Sequence, residues 1–144
     1  MTQAELRAQF IQFYPKWIKH FSAAEILCKT DKGTNTIPPV DLWANIIPTL
    51  ITLDALRHKL NCPIIINSCY RNKTYNRGVG STDTSRHVFF NAIDFTARKG
   101  SPKDWAKALF ELKAKGLTVG GIGTYDTFVH LDTRGIFGMP FAVW

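Results

Sequence analysis

His87, Asp94 and His130 are two imidazoles and a carboxylate, a common donor set for a catalytic zinc. Such a centre takes three protein ligands and keeps a fourth position for water, so these residue types point to metal-assisted hydrolysis. His87 and Asp94 stand seven positions apart, a spacing that chance supplies often and that carries little alone. His130 lies in the run 128–132, where alternation in a strand puts Phe128, His130 and Asp132 on one face and Val129 and Leu131 on the other. His20 and His58 fall on expected helices with no acid or histidine at ligand spacing, and they read as solvated or partly buried structural residues.

These side chains need elements to carry them. Residues 3–21 set Leu6, Phe10, Phe13, Tyr14, Trp17 and Phe21 at three- and four-residue spacings, which predicts an amphipathic helix broken or kinked near Pro15, its aromatic stripe in the core. Ser22 with Glu25 predicts a capping box and a second helix start, followed by a polar loop over 29–39. Asp41 is expected to cap a helix to about Leu60, with Leu42, Ile46, Leu50, Leu53, Leu56 and Leu60 on its apolar face, Pro48 distorting the early turns and Asn61 as the stop. The apolar, β-branched run 63–67 predicts a buried strand that delivers residues 68–71 to the sheet edge. Residues 72–86, dense in Asn, Thr, Ser and Gly, predict a loop or short helix leading back to His87.

Residues 92–96 predict a second strand and 128–132 a third. Between them, Ser101 as cap and Pro102 at the first position open a helix through about Lys115, with Trp105, Leu109 and Leu112 facing the core. Gly116 and the glycines at 120, 121 and 123 then indicate a turn and a backbone that passes close to something. Strands mixed with separate helices, without repeats, predict an α+β fold: a small, mostly antiparallel sheet flanked by helices.

With 144 residues and 45% hydrophobic side chains, the chain suits one domain spanning 1–144. The 18 Lys and Arg against 11 Asp and Glu give a net charge of +7, which favours polyanionic partners. The basic residues are scattered singly, with no basic arm or recognition helix, which argues against nucleic acid. Cys28, Cys62 and Cys69 show no metal-ligand spacing and read as reduced, buried thiols. The first seven residues carry acidic and polar side chains where a signal peptide needs a basic start and an apolar run, so synthesis in the cytoplasm without a signal peptide is expected. No apolar stretch is long enough to span a bilayer.

Several separated blocks strengthen the metal reading. Ser68-Cys69-Tyr70-Arg71, Tyr75-Asn76 with Val79-Gly80, Ser85-Arg86-His87 and Ala92-Ile93-Asp94 follow one another in order, and Gly120-Gly121-Ile122-Gly123, Tyr125, Phe128-Val129-His130, Asp132 and Arg134 close the chain. Together they resemble the M15 family of zinc D-Ala-D-Ala carboxypeptidases and related murein endopeptidases, whose pattern reads Ser-x-Tyr-Arg, Asn-x-x-Val-Gly and Ser-x-His-x-x-Gly-x-Ala-x-Asp. The second half is similar to the short branch found in bacteria and their phages, and the likeness runs from about residue 21 to residue 134.

That resemblance implies zinc held by His87, Asp94 and His130, in the α+β fold shared with the hedgehog signalling domain. It implies a D,D-carboxypeptidase or murein endopeptidase acting on peptidoglycan stem peptides of the cell wall; the missing signal peptide agrees with a phage lysis enzyme or a virion component, and a monomer is expected. Arg71 would point into the same cleft to grip a substrate carboxylate or stabilise an oxyanion, with a loop-to-Asp tie as the competing reading. Ser85 would hydrogen-bond substrate or cap its turn.

Two departures from the pattern stand out. Phe90 occupies the family's glycine position, so either the backbone there avoids a glycine-only conformation or the pocket is reshaped. Thr127 occupies the position, three before the last ligand histidine, where many members carry an acidic general base, and a threonine cannot take a proton from water. Asp132 and Asp126 are the nearby acids left for that role, with Asp132 equally suited to orienting His130 or pairing with Arg134. Both departures favour the alternative of a non-catalytic, zinc-bearing module that binds wall peptides or a protein.

Overall fold

Helix α1, Gln3–Phe13, opens on a capping box in which the Thr2 hydroxyl accepts the Glu5 amide and the Glu5 carboxylate accepts the Thr2 amide. The structure, a computed structural model, describes residues 1–144. A residue before proline is pushed out of the helical region, and Tyr14, before Pro15, sits at φ −55° and ψ 130°. The break expected near Pro15 therefore falls after Phe13, no helix resumes before Ala23, and the aromatic stripe divides: Phe10, Tyr14 and Phe21 are buried while Trp17 is 60% exposed. Ser22 and Glu25 form the expected reciprocal cap of α2, Ala23–Ile26.

Asp41 caps no helix. It lies inside a 3-10 segment, Val40–Ile46, and α3, Ile47–Leu60, begins beyond it with Pro48 in the first turn, where its missing N–H costs no bond. Asn61 ends α3 in the left-handed conformation, as expected of the stop.

Five strands follow: β1 Ile64–Ser68, β2 Ala92–Ala97, β3 Gly121–Thr124, β4 Val129–Asp132 and β5 Ala142–Val143, arranged β1-β2-β4-β3-β5. All pairings are antiparallel except β3 with β5, so the fold is α+β with a mostly antiparallel sheet. Helix α4, Lys73–Gly78, sits in the return from β1 to β2, and α5, Pro102–Ala114, packs on β3 and β4 with α3 against it. Ile93, Phe95, Ile122, Val129 and Leu131 pack into one core with Leu50, Leu53 and Leu56 of α3 and Leu109 of α5, all buried. By alternation Asp94, His130 and Asp132 take the opposite face. No helix is long and apolar enough to cross a membrane.

β1 is not wholly buried. It is an edge strand, and only its alternate residues Ile64 and Ile66 face the core while Ile65 is 37% exposed. The glycines at 121 and 123 lie in a strand, not a turn, and the close approach they signalled is across the sheet. A Cβ on Gly121 would lie 2.5 Å from Asp132 Oδ2, and one on Gly123 would lie 2.6 Å from the Trp144 ring. Cys28 is half-buried and Cys62 and Cys69 are buried, all three free.

Phe90 corrects both expectations attached to it. The backbone keeps a left-handed φ of 55°, so phenylalanine carries a conformation suited to glycine. Its ring does not line the cleft but is fully buried, with centroids 5.8 Å from those of Phe10 and Tyr70. Core packing thus offsets backbone strain. Phe90→Gly is expected to lose about 3–5 kcal/mol of burial and regain about 1–2 kcal/mol of strain, a net loss near 2 kcal/mol measurable by denaturant unfolding.

Candidate metal centre and cleft

The β2–β4 register sets Asp94 opposite His130, and Ala92 opposite Asp132. A bulge between Ile66 and Ser68 turns the end of β1 so that Ser68 stands across from Asp94. His87 comes from the turns before β2. The Arg71 amide donates to the His87 carbonyl at 3.2 Å, and His87 Nδ1 lies 2.6 Å from the Cys69 carbonyl. The chain leaving β1 therefore holds the histidine from two sides.

One donor atom from each of His87, Asp94 and His130 lies within 4.8 Å of the others, and all three residues are buried. A carbonyl can only accept, so His87 Nδ1 carries the proton and Nε2 presents a lone pair 3.2 Å from Asp94 Oδ1. His130 Nε2 donates to Asp132 Oδ2 at 2.8 Å, which leaves Nδ1 facing Asp94 Oδ1 at 2.9 Å. In a tetrahedral centre with bonds of about 2.0–2.1 Å, neighbouring ligand atoms stand roughly 3.3 Å apart. The two spacings found here suit that arrangement, and each ring's other nitrogen is tied to an acceptor, as metal-bound histidines require. Asp132 is fixed in turn by Arg134, whose Nη2 lies 2.7 Å from Oδ2 and whose backbone amide lies 3.0 Å from Oδ1.

The electrostatics follow from burial and partners. Burial alone pushes both carboxyls up, but the His130 and His87 rings that face Asp94, and the His130 and Arg134 donors to Asp132, hold both well below the ordinary carboxylate range. Burial pushes His87 down; it acts the same way on His130, where the bonds to Asp132 and Asp94 outweigh it and raise the imidazole. The two histidines thus work in opposite directions around neutrality. A carboxyl depressed by folding contributes stability that is complete above its unfolded value, ordinarily 3.8, and is lost as pH falls below it. For protein stripped of divalent ions, the thermal midpoint should fall progressively below about pH 4, and less steeply in Asp132→Asn, as followed by circular dichroism.

The other expected site residues divide. Arg71 lines the cleft above the centre, donating through Nη2 to Asp94 Oδ2 at 3.2 Å and through Nε to Ser68 Oγ at 3.0 Å. Ser85 also lines the cleft, and its hydroxyl accepts the His87 amide at 3.3 Å, so it caps the turn while facing the open space. Asp132 is fully buried behind His130, with both oxygens engaged by His130 and Arg134. Asp126 is not brought to the cleft: it is exposed, and it borders a separate hollow with Ser101 and Lys103. Thr127 is also outside, and Asp94 is the one carboxylate in the lining.

The cleft has a volume of about 450 Å³. Hydroxyls of Ser81, Thr82 and Thr84 line it together with Arg86, and Tyr125, Phe128 and Trp144 supply aromatic surface. Tyr125 and Phe128 stack with centroids 4.4 Å apart, and Trp144 Nε1 donates to the Tyr125 hydroxyl at 2.8 Å. Sequence reasoning missed Arg86 and Trp144 as cleft residues. Adjacency to His87 was an available signal for the first; Trp144 reaches the site only through the β3–β5 pairing, which nothing local announces.

Comparison with known proteins agrees with this geometry. Over 80 residues the chain is 32% identical to the Zinc D-Ala-D-Ala carboxypeptidase of Streptomyces albus G, a match covering 54% of this chain. The matched part is 31% of that relative, so the chain corresponds to about a third of its length. The Peptidase M15 family pattern matches residues 19–132, taking in the three candidate ligands, Arg71 and Asp132. The chain belongs to the Peptidase M15 family.

Proposed function

We propose that this chain is a zinc-dependent peptidase that hydrolyses peptide bonds in peptidoglycan stem peptides. The observation that carries the reading is the convergence of His87 Nε2, Asp94 Oδ1 and His130 Nδ1 at a cleft of substrate size. The relative's D-Ala-D-Ala specificity gives the substrate class to test. A divalent ion bound by these residues supplies Lewis acidity, polarising a carbonyl and acidifying water near it. Asp132 keeps the His130 tautomer that leaves Nδ1 free, and Arg134 keeps Asp132 ionised. Arg71, half held by Asp94, stands where negative charge would develop on a carbonyl oxygen. The aromatic wall excludes water from one side of the bound peptide. A net charge of +7 would keep the protein on an anionic wall, in keeping with a phage lysis enzyme or virion component.

Thr127, and a lining with no carboxylate beyond Asp94, favour a second reading: a zinc-bearing module that binds wall peptides without cutting them. The test is digestion of purified murein, and of an acyl-D-Ala-D-Ala peptide, by zinc-loaded protein, with released fragments identified by mass spectrometry. Cleavage that disappears on chelation and returns with zinc supports the peptidase. Stoichiometric zinc with peptide affinity and no cleavage would establish the binder instead.

A further inference from the structure

Three arginines line the cleft, and two of them already have carboxylate partners. Arg71 is paired with Asp94 at 3.2 Å and Arg134 with Asp132 at 2.7 Å. Arg86 has none. The residue is only 9% exposed, its Nε and Nη2 both donate to the single carbonyl of Thr84 at 3.2 and 2.9 Å, and its guanidinium carbon lies 4.3 Å over the Phe89 ring. Nη1 takes no protein acceptor. A guanidinium does not give up its proton in a protein, so the cleft wall contains a permanent, nearly buried positive charge with no carboxylate in contact; Asp132, already paired with Arg134, acts on it only from a distance. Burying such a charge unpaired is costly, and the usual resolution is a partner anion.

Its neighbours suit an anion. Thr82 and Thr84, whose hydroxyls lie 3.0 Å apart, line the same cleft beside Ser85 and can donate to an oxyanion that the guanidinium holds. The clamp by the Thr84 carbonyl and Phe89 fixes the plane of the fork, which lowers the entropy lost on binding a carboxylate. The floor of the cleft is one residue further along the chain, at His87.

We propose that Arg86 is the anion-reading residue of this cleft and takes a carboxylate of the substrate peptide, leaving Arg71 to Asp94 and the reacting carbonyl. The inference rests on the peptidase reading for the identity of its ligand, and it names the substrate class as peptides carrying a free carboxylate close to the bond at the centre. That carboxylate is either the peptide's own terminus or an internal side chain, and the two sources give different specificities.

The experiment compares acid and amide forms of the same peptide on zinc-loaded protein. One arm uses acyl-D-Ala-D-Ala against its C-terminal amide; the other uses an acyl peptide with an internal carboxylate against its side-chain amide. Affinity is read by competition at short times and kcat/KM by mass spectrometry. In the wild type the acid form of one pair should be preferred by about 10- to 100-fold, the scale of a charge-assisted hydrogen bond. Arg86→Gln should bring that ratio to about one, and Arg86→Lys, which keeps the charge and loses the fork, should give an intermediate ratio. No preference in either arm of the wild type, or an undiminished ratio in Arg86→Gln with an unchanged unfolding midpoint, overturns the assignment. If Arg86→Gln does not fold, the lysine variant decides, since a ratio equal to wild type there excludes a role for the fork. Failure of the peptidase reading shows separately, as absent cleavage while the affinity ratios still report on Arg86.

Discussion

Replacing His130 with alanine is expected to reduce bound zinc from one per chain to none and to abolish cleavage of wall peptides. His130 supplies one of three donors, and His87 with Asp94 cannot by themselves complete a three-ligand centre. The affinity loss should exceed the roughly 10- to 100-fold that follows removal of a residue merely supporting a ligand. The variant also leaves Asp94 without its 2.9 Å partner and Asp132 with only Arg134, so the stripped protein should become less stable as well. His20→Ala serves as the control, because His20 is exposed and its backbone amide, not its ring, bonds Asp54. Metal content after dialysis and fragment release by mass spectrometry read the two effects independently. Stoichiometric zinc in His130→Ala would remove this histidine from the ligand set, and cleavage without zinc would remove the metal from the reaction.

Asp132→Asn should weaken zinc binding by about 10- to 100-fold while leaving the three ligands in place. The amide presents an N–H to His130 Nε2 or loses that contact, and the former forces the proton onto Nδ1, the nitrogen that faces Asp94. The change also deprives Arg134 of its ionised partner. Removing one member of a buried pair costs about 3–5 kcal/mol, and the lower end applies because the Arg134 side chain keeps 17% of its exposure. The same variant separates the two roles open to Asp132. A positioning residue gives a kcat that saturating zinc restores; a proton acceptor gives a kcat that stays low at full zinc occupancy. Burial of both carboxylate oxygens behind His130 favours the first outcome.

The site was legible because its parts are carried by residue type and local order. The caps at Ser22 and Ser101, the stop at Asn61 and the alternation through residues 128–132 act over a few residues, so they could be read along the chain. Local signals misled where a proline or a partner strand had the deciding role. Pro48 began α3 instead of distorting it, and the glycine-rich run read as a turn became β3, whereas at Pro15 the expected break is the one realised. Glycine has low strand propensity, and only the space denied by Asp132 and Trp144 explains its use there.

The residues that could bind a metal, His87, Asp94 and His130, were determined by the sequence, because imidazole and carboxylate chemistry belongs to the side chains and their order matches a family pattern. What each neighbour does was decided only by the tertiary structure. Asp132 and Asp126 look alike in the chain, yet sheet register sends one behind His130 and leaves the other on a solvated turn. Arg71, Arg86 and Arg134 are equal as letters, and only the packed cleft shows which two have carboxylate partners. Ligand identity is a property of residues; partnership is a property of distances between segments far apart in sequence, and those distances exist only once the sheet has formed.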